Sequence, residues 1–138
     1  MGFAIWSRPK KSKYGSTKVN FHGRSFGSKL EAAVYQMLLA REQAGEISDI
    51  KCQVNVHLTM AKILYIADFS FFDNVVLKVV YCESKGFESP EWRLKRKLWM
   101  HFGPGKLEIW KGTYKRPTLS EVITPKTINE RQSFRITD

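Results

Sequence analysis

Three side chains in the middle of this sequence have the types and the surroundings for metal-assisted cleavage of a phosphodiester. Glu83 and Lys85 flank Ser84 at the end of a strand-like run. Alternate residues of a strand share a face, so Val79, Tyr81, Glu83 and Lys85 form one row, apolar at first and then charged. Asp68 interrupts a second apolar run, Leu64-Tyr65-Ile66-Ala67 before it and Phe69 after it. A carboxylate in such a place is paired, bound to a cation, or at the open edge of a sheet. Magnesium takes oxygen ligands and keeps several waters for a substrate. A metal held there lowers the pKa of a water and offsets charge on a phosphate. The lysine orients that water or stabilises the developing charge.

The triplet alone is a weak signal. A chain with nine Glu and fifteen Lys supplies an E-x-K by chance, and a solvated ion pair at a strand end accounts for it equally well. Asp68 is likewise open to reading as a carboxylate paired with a nearby base.

Definite elements must carry these residues. A helix is expected from Ser28, where a serine cap followed three residues later by Glu31 makes a capping box. That box explains Glu31 without any chemistry, although the two roles can use different oxygens. Leu30, Val34, Met37 and Leu38 form the apolar face, and Gly45 ends the helix. Ile50, Cys52, Val54, Val56 and Leu58 then alternate with Lys51, Gln53, Asn55 and His57, as in a half-buried strand. Gln53 is read either as a solvated strand residue or as lining the site. Residues 62–72 and 75–85 form the next two strands, turning at Asp73-Asn74. Ser89 caps a second helix with Pro90 at its first position; it runs to about Phe102, with Trp92, Trp99 and Phe102 as core anchors. Residues 107–110 read as a fourth strand, and 19–26 as a short hairpin turning at Gly23.

The order helix, strand, strand, strand, helix, strand implies an α/β fold, a mixed central sheet flanked by helices. Residues 1–18 read as a basic flexible arm, 19–112 as the domain, and 113–138 as a tail, docked or reaching a partner. One geometric demand follows. A two-residue turn at Asp73-Asn74 sets Asp68 opposite Val79, four residues and roughly 13 Å short of Glu83. A shared cation therefore requires an asymmetric hairpin with a longer loop over about 73–78, or strands that bulge and splay.

The 138 residues, 43% hydrophobic, suit one domain with one core. No apolar run approaches membrane-spanning length, and Met1 to Tyr14 lacks the apolar stretch and cleavage site of a signal peptide. Cys52 and Cys82 lack metal-spaced partners and read as buried thiols of a reducing compartment. The net charge is +10, and the first 30 residues hold seven Lys/Arg and no acid. A second block, Arg93, Lys95, Arg96 and Lys97, also contains no acid. Clustered positive charge interleaved with aromatics points to a polyanion, most often nucleic acid.

A helix glutamate at Glu31, then Asp68, then Glu83-Ser84-Lys85 resembles the PD-(D/E)XK nuclease superfamily, with its restriction-endonuclease-like αβββαβ core. Ala67 stands where the superfamily pattern places Pro. More narrowly, Lys13-Tyr14-Gly15, Phe26-x-Ser28-Lys29-x-Glu31-Ala32, Gly45-Glu46-Ile47-Ser48-Asp49, Tyr65-Ile66-Ala67-Asp68-Phe69 and Lys85-Gly86-Phe87 are similar to small phage-encoded nucleases. Those are related to the endonuclease I type of Holliday-junction resolvases. The resemblance spans about residues 13–110. It implies that Asp68 and Glu83 ligate magnesium, for which manganese substitutes, with the Ser84 backbone carbonyl as a third ligand. Lys85 is the implied catalytic lysine, and Glu31 is implied to reach a second metal directly or through water. Lys10, Lys11, Lys13, Lys18, Arg24, Lys29, Arg93, Lys95 and Lys97 are then expected on DNA.

Three functions compete. The first is a dimeric, cytoplasmic resolvase of branched DNA, since a four-way junction needs two symmetric cuts. The second is a nuclease of the same superfamily acting on duplex, nicked or single-stranded DNA. The third is a binding module without catalysis, disfavoured because Lys85 is retained beside the carboxylates.

Overall fold

A computed structural model of the chain describes residues 10–11, 17–21 and 23–126. In chain order the elements are β1 (Lys10–Lys11), β2 (Thr17–Phe21), β3 (Arg24–Phe26), α1 (Lys29–Gln43), β4 (Ile47–His57), β5 (Leu64–Asp73), β6 (Lys78–Ser84), α2 (Pro90–Phe102), β7 (Leu107–Thr113) and β8 (Arg116–Ile123). Strands β4 to β8 form a five-stranded sheet in sequence order, and β1 to β3 form a small antiparallel one. Among the described strands only β6 and β7 run parallel, and α2 makes the crossover between them. The fold is thus α/β with a mixed sheet and two helices, as the element order implied.

The helix signals act as expected. Ser28 Oγ accepts the Glu31 N–H at 3.0 Å, and Ser89 Oγ accepts the Trp92 N–H at 3.1 Å. Each cap satisfies a backbone donor that the first helical turn leaves without a partner. Gly45, at φ +79°, takes the left-handed turn that follows α1. Gly23, at φ +76°, turns the β2–β3 hairpin.

Each helix covers one core. On the α1 side, Leu30, Val34 and Leu38 pack with Phe69, Phe71, Val80 and Cys82. On the α2 side, Trp92 and Trp99 pack with Tyr65, Ala67, Leu107, Ile109 and Ile123. Trp92 and Trp99 are therefore core, as expected, whereas Phe102 is 43% exposed and stands outside both cores. Cys82 is buried, but Cys52 is only half-buried; both are free thiols.

Two expectations change. Part of the basic arm is a strand, because Lys10 and Lys11 pair with Lys18 and Thr17. The domain continues past residue 112, because β8 pairs along β7 and buries Ile123. The tail is therefore docked as a sheet strand as far as Ile123. Its strand character is masked in the sequence by Pro117 and by a mostly exposed row of residues. The turn after β5 is longer than two residues, as a cation shared by Asp68 and Glu83 required. Asp73 pairs with Lys78 across residues 74–77, and Leu77 closes the loop at φ +58°. The Asp73 carboxylate accepts the N–H groups of Val75 and Val76 and holds the loop open.

Candidate active site

The loop length decides whether Asp68 meets Glu83. With Phe69 opposite Cys82 and Phe72 opposite Val79, the register carries Asp68 to the level of Glu83. The Asp68 N–H approaches Glu83 Oε2 at 3.4 Å. Asp68 Oδ2 accepts two bonds from Ser84, from its N–H and from its hydroxyl, each 2.8 Å. Lys85 Nζ lies 3.5 Å from Glu83 Oε1 and 5.4 Å from the centre of the Trp92 ring. The Lys85 N–H is bonded to the Trp110 carbonyl, which ties the lysine's backbone to β7.

The third carboxylate comes from the other side of the sheet. Glu31, in the first turn of α1, accepts the Gly27 N–H on Oε2 at 2.9 Å and the Gln53 amide on Oε1 at 3.1 Å. The reciprocal arm of the capping box thus falls on Gly27. A Cβ at position 27 would lie 3.0 Å from Glu31 Oε2, so any other residue there would make the carboxylate give by a few tenths of an ångström.

A break in the pleat allows α1 and β6 to meet at one point. In a regular strand residues two apart face the same side. Here Phe69 packs on the α1 side but Ala67 on the α2 side. On β4, Cys52 packs on the α1 side and Val54 on the α2 side. The change of face falls at Asp68 and at Gln53, whose φ is +53°. The even alternation of β4 in the sequence conceals this switch.

Burial and crowding set the protonation of the three acids. Glu31 and Glu83 are only 7% and 6% exposed. Burial first, and then the charge of Asp68, raises each of them to about 8. Burial also raises Asp68, against the opposing pull of the Ser84 hydrogen bonds and of Lys85. Tyr65 is a further part of the site. Its hydroxyl accepts from the Trp92 indole nitrogen at 3.4 Å, and burial, with the charge of Glu83 behind it, pushes its pKa up. The residue sits in the motif Tyr65-Ile66-Ala67-Asp68, but nothing in its spacing marked it.

Two clefts of about 260 Å³ flank the carboxylates. One is lined by Glu83, Lys85, Trp92 and Lys95, the other by Arg24, Glu31, Cys52 and Gln53. Of the expected DNA contacts, Arg24 and Lys95 line these clefts, and Lys95 also pairs with Glu91 at 3.0 Å. Lys18, Lys29, Arg93 and Lys97 are exposed and line neither. Lys29 lies over the Tyr114 ring at 5.0 Å. Lys13 falls outside the described residues, as do the side chains of Lys10 and Lys11.

Hard, desolvated oxygens that outnumber the nearby ammonium fit a hard divalent cation in chemical type. Among the described residues no three His, Cys, Asp or Glu side chains stand, as they are arranged, close enough together to hold a metal ion. The Glu31 oxygens are instead taken by Gly27 and Gln53, an Asp68 oxygen by Ser84, and the Glu83 oxygens by the Asp68 N–H and Lys85, so a cation would enter by displacing some of these bonds.

The sequence pattern of a family described as a protein of unknown function, DUF1064, matches residues 11–115. The chain belongs to this family. The DUF1064 match covers Glu31, Gln53, Asp68, Glu83 and Lys85 and stops before β8. No curated protein matches the chain.

Proposed function

We propose that this protein is a metal-dependent endonuclease that hydrolyses phosphodiester bonds in DNA, with branched DNA as its substrate. The observation that carries this reading is the pairing of Asp68 with Glu83, with Lys85 at their edge and Glu31 near enough to feel the charge of Asp68, in a chain of net charge +10. Acids at the heart of a basic protein suit a polyanion only when a cation stands between them. Magnesium, when bound, supplies that charge and activates water. Asp68 and Glu83 would hold it, with Glu31 as a further oxygen donor.

The chain's own groups have separable tasks. Ser84 keeps Asp68 oriented through two hydrogen bonds. The Lys85 ammonium does the same for Glu83. Lys85 is also placed to stabilise charge that develops on a phosphate. Arg24 and Lys95, one in each cleft, are positioned to take phosphates on either side of the cut. Junction preference, paired action of two copies and a cytoplasmic setting belong to the proposal through the motif resemblance. No described helix is long and apolar enough to cross a membrane.

Incubating the purified protein with a labelled four-way junction and a matched linear duplex, with magnesium or with EDTA, tests this directly. Cutting of the junction with magnesium alone is expected. Absence of any cutting with metal rejects the enzyme, while equal cutting of both substrates leaves a nuclease without junction preference.

A further inference from the structure

Gln53 is held in a backbone conformation that its residue type does not favour. Its φ of +53° lies in the left-handed region, which residues other than glycine enter rarely. Strain of this kind persists where the surroundings over-determine it, and it collects at functional sites. The position is also exposed, so no packing demand explains a long side chain there. Glycine would relieve the strain, yet the chain carries glutamine.

The side chain supplies the reason. Its Nε2 donates to Glu31 Oε1 at 3.1 Å, and the amide lies close enough to the Asp68 carboxylate to favour its charged form. It therefore stands between two acids that come from different elements, bonded to Glu31 on α1 and across from Asp68 on β5. The pairing on either side, Cys52 with Phe69 and Val54 with Ala67, sets Gln53 directly across from Asp68. An amide suits this place better than its alternatives. A lysine would neutralise the acids and compete with a cation, and a carboxylate would add repulsion. An apolar side chain would leave Glu31 Oε1 without its donor.

We infer that Gln53 is a positioning residue that fixes the Glu31 carboxylate beside Asp68 and so sets the affinity of the three-acid site for a divalent cation. This rests on the reading of that site as a cation site. The left-handed backbone is what turns the glutamine at a break in the pleat toward both acids.

The test is titration of the full chain with Mn2+ alone, followed by calorimetry. Wild type is compared with Gln53→Met, which keeps the length and loses the donors, and with Gln53→Gly, which also relieves the backbone. Partners that orient metal ligands typically change affinity by about 10–100-fold, and a loss of at least tenfold is expected in both variants. Gln53→Gly is expected to melt no lower than wild type, which separates the amide's role from support of the fold. The Mn2+ concentration for half-maximal DNA cleavage should move by the same factor, with the rate at saturating metal largely kept. Wild-type affinity in a folded Gln53→Gly overturns the role of Gln53 while leaving the cation site standing. A wild type that takes no Mn2+ overturns the cation site itself, and this role with it.

Discussion

At the residue scale, three crowded carboxylates make stability depend on pH in a direction opposite to that of a salt-bridged acid. Glu31 and Glu83 rise from 4.5 to about 8 on folding, through burial and the charge of Asp68. Below the unfolded value both states hold their protons and nothing is lost. As pH climbs toward 8 the unfolded chain ionises while the folded site resists, so stability falls across that window. In EDTA, the melting temperature should therefore drop between pH 5 and 8 more steeply in wild type than in Glu83→Gln. Each pKa unit is worth about 1.4 kcal/mol, so at pH 8 the variant should melt higher by roughly 5 °C or more. Magnesium should stabilise wild type at pH 8 and help the variant less. Thermal melts across this pH range with and without metal would show it; equal pH profiles for the two proteins would mean that Glu83 is not held neutral. Asp68, Glu83 and Lys85 were legible because a charge inside an apolar strand is conspicuous. Gln53 and Tyr65 were harder to assign. A polar residue on a polar strand face and an aromatic in an apolar run look ordinary until the pleat is seen to break between them.

At the scale of elements, the two helices were readable because their ends carry specific chemistry, Ser28 and Ser89 at the caps and glycine beyond α1. The β5–β6 turn was not. Val75, Val76 and Leu77 look like the start of a strand, yet Val75 is 81% exposed in a loop held by the Asp73 carboxylate. Burial, which would have revealed this, is a property of the folded sheet and not of the local sequence. The eighth strand is hidden in the sequence for a related reason. It is an edge strand whose residues mostly face water, with Ile123 as its one fully seated side chain. Ile123 is 3% exposed among Trp99, Leu107 and Ile109. Truncating it to Ala should cost about 2–5 kcal/mol by removing buried methylenes and leaving a cavity. Chemical denaturation would measure the loss. A cost within a few tenths of a kcal/mol would mean that β8 is peripheral to the core and that the domain ends near residue 112.

At the scale of the whole molecule, the charge balance and the buried acids pull on a nucleic acid in separable ways. The net charge of +10 acts over the surface and attracts any phosphate backbone, whatever happens at the three carboxylates. Binding in EDTA therefore isolates the surface contribution. Its affinity should fall steeply as salt rises, because each neutralised phosphate releases counterions. The structure divides the basic residues for this purpose. Lys97 is exposed on α2, whereas Arg96, one residue before it, is committed to an ion pair with Glu121 on β8. The cationic block of the sequence is thus not uniform, since the helix turns one guanidinium inward to tie α2 to the sheet edge and leaves its neighbour to solvent. Lys97→Ala should weaken junction binding and reduce the slope of log affinity against log salt by about 1, the signature of one lost phosphate contact. Arg96→Ala should leave that slope unchanged and lower stability instead, since its charge already has a partner. Fluorescence anisotropy of a labelled junction across a salt series, paired with denaturant melts, reads both quantities. An unchanged slope in Lys97→Ala would move the nucleic acid off the α2 face. A reduced slope in Arg96→Ala would show that its bond to Glu121 opens when DNA binds.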